Sequence, residues 1–191
     1  MQLEQANEAI LHVSAEKKKF YRDVIRSVTR EKLRLVDRGQ IPDEGLVLWE
    51  AALGTLQDYP AMRPQVLGCA AQCGMGDRDA RDFALAIGEA ASNAIKHGGG
   101  GRCTLSRTPQ RLIARIADGG AGIPSEDLPA TLLQSGFSTT ISLGMGYTLM
   151  LELADTVWVA TEPDGTILQL EKCIYPEEPS AANLLSAWDR F

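Results

Sequence analysis

The 191-residue sequence is poor in histidine, cysteine and aromatic residues, and it has no surplus of positive charge. Its two histidines and four cysteines do not form the close pairs or neighbouring sets that a zinc site requires. We therefore expect reduced thiols that serve as small apolar side chains. The net charge of −6 and the pI of about 5.0 predict no general attraction to nucleic acid or to anionic lipid.

Long apolar runs are missing as well. None approaches the ~20 residues of a membrane-spanning helix, and the segment MQLEQANEAI has acidic residues where a secretory signal has basic ones. These absences predict a cytoplasmic protein that does not associate with membranes. The hydrophobic fraction of 45% is that of a globular protein, and 191 residues suffice for one domain with an extension or for two small domains.

The apolar periodicity predicts helices over about 5–30, 60–73, 77–97 and 147–155, with Asp77 as the N-cap of the third. The third helix has an apolar stripe of Phe83, Ile87, Ala90, Ala91 and Ala94. Strand patterns occupy 32–38, 46–53 (where a helix is the alternative), 103–109, 111–118 and both sides of a Pro163-Asp164-Gly165 turn. Because the predicted strands follow one another in pairs along the sequence, the pattern favours an α+β sandwich over a doubly wound parallel sheet.

The first polar motif lies on the third predicted helix, in GEAASNAIKHGGGG (88–101). Glu89, Asn93 and His97 are spaced four residues apart, so they project from one helix face. An amide oxygen suits a hard cation, and a carboxylate beside it can orient or deprotonate a nucleophile. Taken alone, this pattern is also typical of the solvent face of an amphipathic helix.

Two glycine-containing segments follow in the sequence. In DGGAGIP (118–124), Asp118 ends a predicted strand as a hydrogen-bond acceptor, and Gly120 and Gly122 permit a close approach of the backbone to a ligand. In SLGMGYTLM (142–150), Gly144 and Gly146 precede a short helix, whose free N–H groups suit a phosphate. Neither segment has the pattern of a Walker loop or a Rossmann motif. Each signal is weak alone, but the three together in this order are strong.

The three motifs resemble those of the GHKL superfamily of ATP-binding domains, which includes gyrase, Hsp90, histidine kinases and MutL. The segments EAASNAIKHGGGG, DGGAGIP, GFSTTISLGMGYTLMLELAD and DGTILQLEK are most similar to the bacterial anti-sigma-factor serine kinases and switch kinases. The resemblance covers about 46–173 and implies a two-layer α/β sandwich of the Bergerat type. We expect an N-terminal extension of a helix and a short strand over 1–45, and a tail with a short amphipathic helix over 174–191.

The resemblance also implies roles for individual residues. Asn93 would bind Mg²⁺, and Glu89 would act as the catalytic base or position a water. Asp118 would accept the exocyclic amine of adenine, supported by Thr166 through water, and residues 124–143 would form an ATP lid. The remaining cofactor-binding residues implied are His97, Gly120, Gly122, Ile123, Ser138, Thr139, Gly144, Met145 and Gly146.

The activity implied is an ATP-dependent serine/threonine kinase that phosphorylates a small STAS-type antagonist protein and acts in a sigma-factor pathway. One alternative is the catalytic half of a histidine kinase, for which His12 is the candidate acceptor, although it lacks the acidic and Arg-Thr-Pro neighbours usual there. Another is a non-catalytic binding module, for which a carboxylate at Glu89 would not be needed. Homodimers are common in the branch that the chain resembles, so a homodimer is compatible with the sequence.

Overall fold

The computed structural model describes residues 16–55, 58–133 and 146–174, and the predicted tail helix lies outside them. Residues 16–28 form helix α1. The other helices are α2 (Asp58–Gln72), α3 (Asp77–Gly98), α4 (Leu128–Leu133) and α5 (Gly146–Leu153). The strands are β1 (Leu33–Leu35), β2 (Leu46–Leu53), β3 (Gly101–Arg107), β4 (Arg111–Ala117), β5 (Thr156–Glu162) and β6 (Gly165–Cys173). None of the helices in these ranges is long and apolar enough to cross a membrane.

The strands form one six-stranded sheet in the order β1-β5-β6-β4-β3-β2. Strands β3 and β4 form an antiparallel hairpin, as do β5 and β6, and β4 pairs with β6 so that the two hairpins are joined. Only β1 is parallel to its neighbour, with Leu33 opposite Val157. Helices α2, α3 and α5 pack on one face of this sheet. The predicted α/β sandwich with an N-terminal helix is therefore confirmed.

Helix α3 supplies the centre of the core. All members of its predicted apolar stripe are buried, and they pack against alternate residues of β3, β4 and β6. Burial of a side chain such as Phe83 or Ile87 contributes about 1.5–3 kcal/mol. This face of α3 fixes the helix on the sheet, so the orientation of its polar face follows from the core packing.

The segment between β1 and β2, residues 36–45, connects the two outer strands of the sheet, and we call it the crossing segment. The five gaps between the six strands make the sheet ~24 Å wide, at about 4.8 Å per gap. Ten extended residues span at most about 33–36 Å, so the segment is long enough to cross the sheet. It follows the face opposite the helices, where Arg115 of β4 donates hydrogen bonds to the Pro42 carbonyl and the Asp43 carboxylate, both at 3.0 Å. Ile41 is buried there, outside the main core cluster.

The same face of the sheet holds a buried polar network that the sequence did not predict. The Glu171 side chain is 2% exposed and accepts hydrogen bonds from Trp158 Nε1 at 2.7 Å, Gln169 Nε2 at 3.1 Å and Arg111 Nη1 at 2.5 Å. The guanidinium of Arg34 lies 4.6 Å from the Trp158 ring centroid. Each donor would lose its partner if this carboxylate were removed, so the network ties β4, β5 and β6 together.

We expect Glu171→Ala to lower the free energy of unfolding by about 2–4 kcal/mol, because it leaves the buried Gln169 amide and the half-buried Trp158 indole without an acceptor. Glu50→Ala is the matched control, since Glu50 also pairs with an arginine (Arg102) of a neighbouring strand but is 46% exposed. Exposed pairs contribute at most about 1 kcal/mol. Urea unfolding followed by circular dichroism measures both losses. Equal losses in the two variants would contradict the role given to the buried network.

Three local predictions need correction or completion. The N-cap of α3 is Gly76, and Asp77 is the first helical residue, where its carboxylate still lies at the positive end of the helix dipole. The segment 124–143, for which the resemblance implied a lid, contains helix α4, whose Leu128 and Leu132 are buried. All four cysteines are free thiols, as predicted, and burial raises the pKa of Cys103 to about 12.

Candidate functional site

The polar face of α3 carries Glu89, Asn93 and His97. Glu89 and Asn93 are half-buried, whereas His97 is exposed near the end of the helix. Neither the Glu89 carboxylate nor the Asn93 amide forms a hydrogen bond or ion pair with another described residue. Both groups are therefore available to a ligand.

The first residue of α5 lies directly over these two side chains. A Cβ atom placed on Gly146 would be 3.4 Å from Glu89 Oε2 and 3.5 Å from Asn93 Nδ2. The first N–H groups of a helix have no partner within it and carry a partial positive charge, which favours an anionic ligand. The carboxylate, the amide and the start of α5 therefore surround one position.

Asp118 follows β4 and is held in one orientation. Its Oδ1 atom accepts hydrogen bonds from the backbone N–H groups of Gly120 at 3.0 Å and Thr166 at 3.2 Å, and its own N–H donates to the Thr166 carbonyl at 3.0 Å. No described residue donates to Oδ2. One carboxylate oxygen is thus used for positioning, and the other is free to accept a hydrogen bond from a ligand.

The run of glycines after α3 permits this arrangement. A Cβ on Gly98 would lie 2.4 Å from the Cβ and Cγ atoms of Asp118, and a Cβ on Gly120 would lie 2.7 Å from the Gly98 Cα. Gly99 caps the helix in the left-handed region, with φ of 71°, which glycine adopts without a steric penalty because it has no Cβ atom. The helix therefore ends in glycine because the Asp118 side chain packs against its last turn.

The loop after Asp118 is bound to the β5–β6 hairpin. The Thr161 hydroxyl accepts a hydrogen bond from the Ile123 N–H at 2.7 Å and lies 3.2 Å from the Thr166 hydroxyl. Gly122 has φ of 69°, and a Cβ there would lie 2.1 Å from the Glu162 carbonyl oxygen. The Thr161 hydroxyl therefore links the Ile123 N–H to the Thr166 side chain, and Thr166 in turn contacts Asp118.

The family comparison decides what kind of domain this is. The histidine kinase-like ATPase domain matches residues 54–172, which is more than half of the chain. The chain belongs to this family. No curated protein matches the sequence significantly.

Solved structures of histidine kinases resemble this histidine kinase-like ATPase domain distantly. The catalytic domain of histidine kinase ThkA, in a nucleotide-free form, is 12% identical with a TM-score of 0.46, and the match covers 68% of this chain and 99% of that one. A mycobacterial sensor histidine kinase, MprB, is 17% identical with a TM-score of 0.41, over 67% and 98% of the two chains. The assignment rests on the family match over residues 54–172.

GHKL-type histidine kinase-like ATPase domains bind ATP, usually with Mg²⁺. The donor atoms on α3 fit such an ion, because Asn93 offers an amide oxygen and Glu89 a carboxylate. No group of three or more histidine, cysteine or acidic side chains among the described residues is placed to hold a metal. Mg²⁺ is typically held by one or two protein ligands together with phosphate oxygens and water.

Four of the predicted site residues lie outside the described part of this ATPase domain. They are Ser138, Thr139, Gly144 and Met145. The predicted lid over 124–143 is described only as far as residue 133, so the lid stays a prediction. The remaining predicted residues lie in two groups: Glu89, Asn93 and Gly146 at the start of α5, and His97, Asp118, Gly120, Gly122, Ile123 and Thr166 around the end of α3 and the β5–β6 turn.

Two residues of the site were missed from the sequence. Thr161 pairs with Thr166 across the β5–β6 turn, and the matching threonines on either side of that turn were the available signal. Tyr147 is the second residue of α5 and packs against the core. Burial, and then the negative charge of Asp118, raises the pKa of its hydroxyl above the ordinary value of tyrosine.

Proposed function

We propose that this domain binds Mg·ATP and transfers the terminal phosphoryl group to a serine or threonine of a small STAS-type partner protein in a sigma-factor pathway. The observation that carries the proposal is the position of Glu89 and Asn93, unpaired and one helical turn apart, beneath the first residue of α5. In this proposal the base and the metal-binding amide lie at the end of the site where free helix N–H groups favour phosphate.

Each group then has a distinct task. Asp118 offers Oδ2 to the exocyclic amine of adenine, because Gly120 and Thr166 already occupy Oδ1. Asn93 would hold Mg²⁺, which when bound offsets negative charge on the transferred phosphoryl group. Glu89 would accept the proton of the attacking hydroxyl, for which a general base typically contributes about 10²–10⁴-fold.

The residue that accepts the phosphoryl group distinguishes this proposal from a histidine kinase: a serine or threonine hydroxyl in the first case, a histidine in the second. The resemblance of the three motifs to anti-sigma-factor kinases favours a hydroxyl acceptor. A histidine kinase needs an acceptor histidine on a helix ahead of the ATP-binding domain, for which His12 is the candidate in this sequence. His12 lies outside the described residues, and His97 belongs to the proposed ATP site.

Incubation with γ-labelled ATP tests the proposal, with the purified chain alone and with purified STAS-domain proteins of the host. We expect label on one STAS protein that withstands acid, as phosphoserine and phosphothreonine do. Glu89→Gln protein is the control for contaminating kinases. Acid-labile label on the chain itself would show a histidine kinase, and ATP binding without transfer to any partner would show a binding module.

A further inference from the structure

Arg38 lies in the crossing segment, outside the residues that match the ATPase family. Its Nη1 and Nη2 atoms donate to the two carboxylate oxygens of Asp164, at 3.2 and 2.7 Å, and Nη2 also donates to the Gly165 carbonyl at 3.1 Å. The Glu162 carboxylate lies 3.6 Å from its Nε atom. A planar guanidinium that makes a bidentate pair and a carbonyl contact fixes direction as well as distance.

The turn that Arg38 holds is the turn that orients Asp118. Gly165 lies against the Asp118 backbone, since a Cβ there would be 2.1 Å from the Asp118 carbonyl oxygen. The next residue, Thr166, donates its N–H to Asp118 Oδ1 and accepts the Asp118 N–H. A displacement of the turn would therefore rotate the carboxylate that Asp118 presents to a ligand.

The crossing segment is held at its other side by α1. Asp37, the residue before Arg38, accepts a hydrogen bond from Arg22 and lies 3.5 Å from the Lys18 ammonium. Side chains of α1 thus contact Asp37, and Arg38 contacts the β5–β6 turn. The crossing segment therefore forms a continuous chain of contacts from α1 to the β5–β6 turn.

We propose that Arg38 is a positioning residue for adenine recognition, and that through it the N-terminal helix and crossing segment set the orientation of Asp118. This inference rests on the proposed role of Asp118 in ATP binding. It gives the N-terminal residues outside the ATPase family a function in the site. Because binding free energies are reciprocal, ATP should in turn strengthen the docking of the crossing segment.

Arg38→Met retains much of the side-chain length and removes the donors. We expect its affinity for ATP, measured by calorimetry, to fall about three- to tenfold, as for the loss of a partly exposed charged contact. Affinity for purine riboside triphosphate, which is ATP without the 6-amino group, should stay unchanged. Arg81→Met is the matched control, because Arg81 pairs with Asp77 on the first turns of α3, away from this turn. It should leave both affinities unchanged.

Asp164→Asn completes the test. In the Arg38→Met background it should cause little further loss, because the contact that it weakens is already gone. Equal loss of affinity for both nucleotides would overturn the inference and leave Arg38 a structural residue. ATP affinity equal to that of the unmodified protein would overturn it as well. If Asp118→Asn meanwhile abolishes discrimination for the 6-amino group, the proposed function stands without the inference.

Discussion

Glu89→Gln should bind Mg·ATP about as well as the unmodified protein and lose phosphoryl transfer by about 10²–10⁴-fold. Glutamine has the same shape and hydrogen-bonding reach as glutamate, but it cannot take up a proton at neutral pH. Glu89 has no described partner whose loss would disturb the fold. The substitution therefore separates chemistry from binding.

The comparison needs two further variants. Asp82→Asn lies two helical turns before Glu89 on α3 and pairs with Arg78, so it removes a charge from the same helix without touching the site. It should transfer phosphate normally. Asn93→Ala should instead lose the dependence of ATP binding on Mg²⁺. Single-turnover transfer and calorimetry measure these effects, and a normal transfer rate in Glu89→Gln would refute the role of Glu89 as the base.

Asp118→Asn should lower ATP affinity by about 10- to 100-fold, the usual loss for a hydrogen bond to a charged group in a partly buried site. The variant retains Oδ1, so the bonds from Gly120 and Thr166 persist and cooperative folding should be unchanged. Its Nδ2 replaces Oδ2 and presents a donor to the adenine amine, which is also a donor. The two groups then repel each other.

Nucleotide analogues sharpen this prediction. The Asp118→Asn protein should no longer prefer ATP to purine riboside triphosphate, and it should bind inosine triphosphate better than the unmodified protein does, because the 6-oxo group accepts from Nδ2. Thermal unfolding without nucleotide checks that the fold is intact. Unchanged ATP affinity in calorimetry would refute the assignment of Asp118 to adenine.

Most secondary-structure elements were predictable because their hydrophobic patterns are strong. The period of α3 fixed its buried stripe, and the same period placed Glu89 and Asn93 on one polar face. Alternation predicted the two hairpins, and the Pro163-Asp164-Gly165 turn marked where β5 and β6 meet. In these segments local preference and tertiary packing agree.

The unpredicted features depend on distant partners. Alternation gives no information about the parallel pairing of β1 with β5, because any strand edge offers the same backbone groups. A charged residue such as Glu171 is expected at the surface, and its burial becomes favourable through the donors Trp158, Gln169 and Arg111, which the fold brings to it. The proximity of Gly98 to Asp118 likewise joins two segments that the sequence separates.

The crossing segment also constrains how this protein is made on the ribosome. Strand β1 leaves the ribosome first but pairs with Val157 and its neighbours in β5, near the end of the described chain. Pairing between strands so far apart in the sequence is slow, and β1 stays exposed until β5 has been synthesised. The region 54–172 alone would lack β1 and β2, which would leave β5 and β3 as open edges prone to aggregation. Strand β2 can pair with β3 as soon as β3 has emerged, so the β1 edge of the sheet is the one completed last.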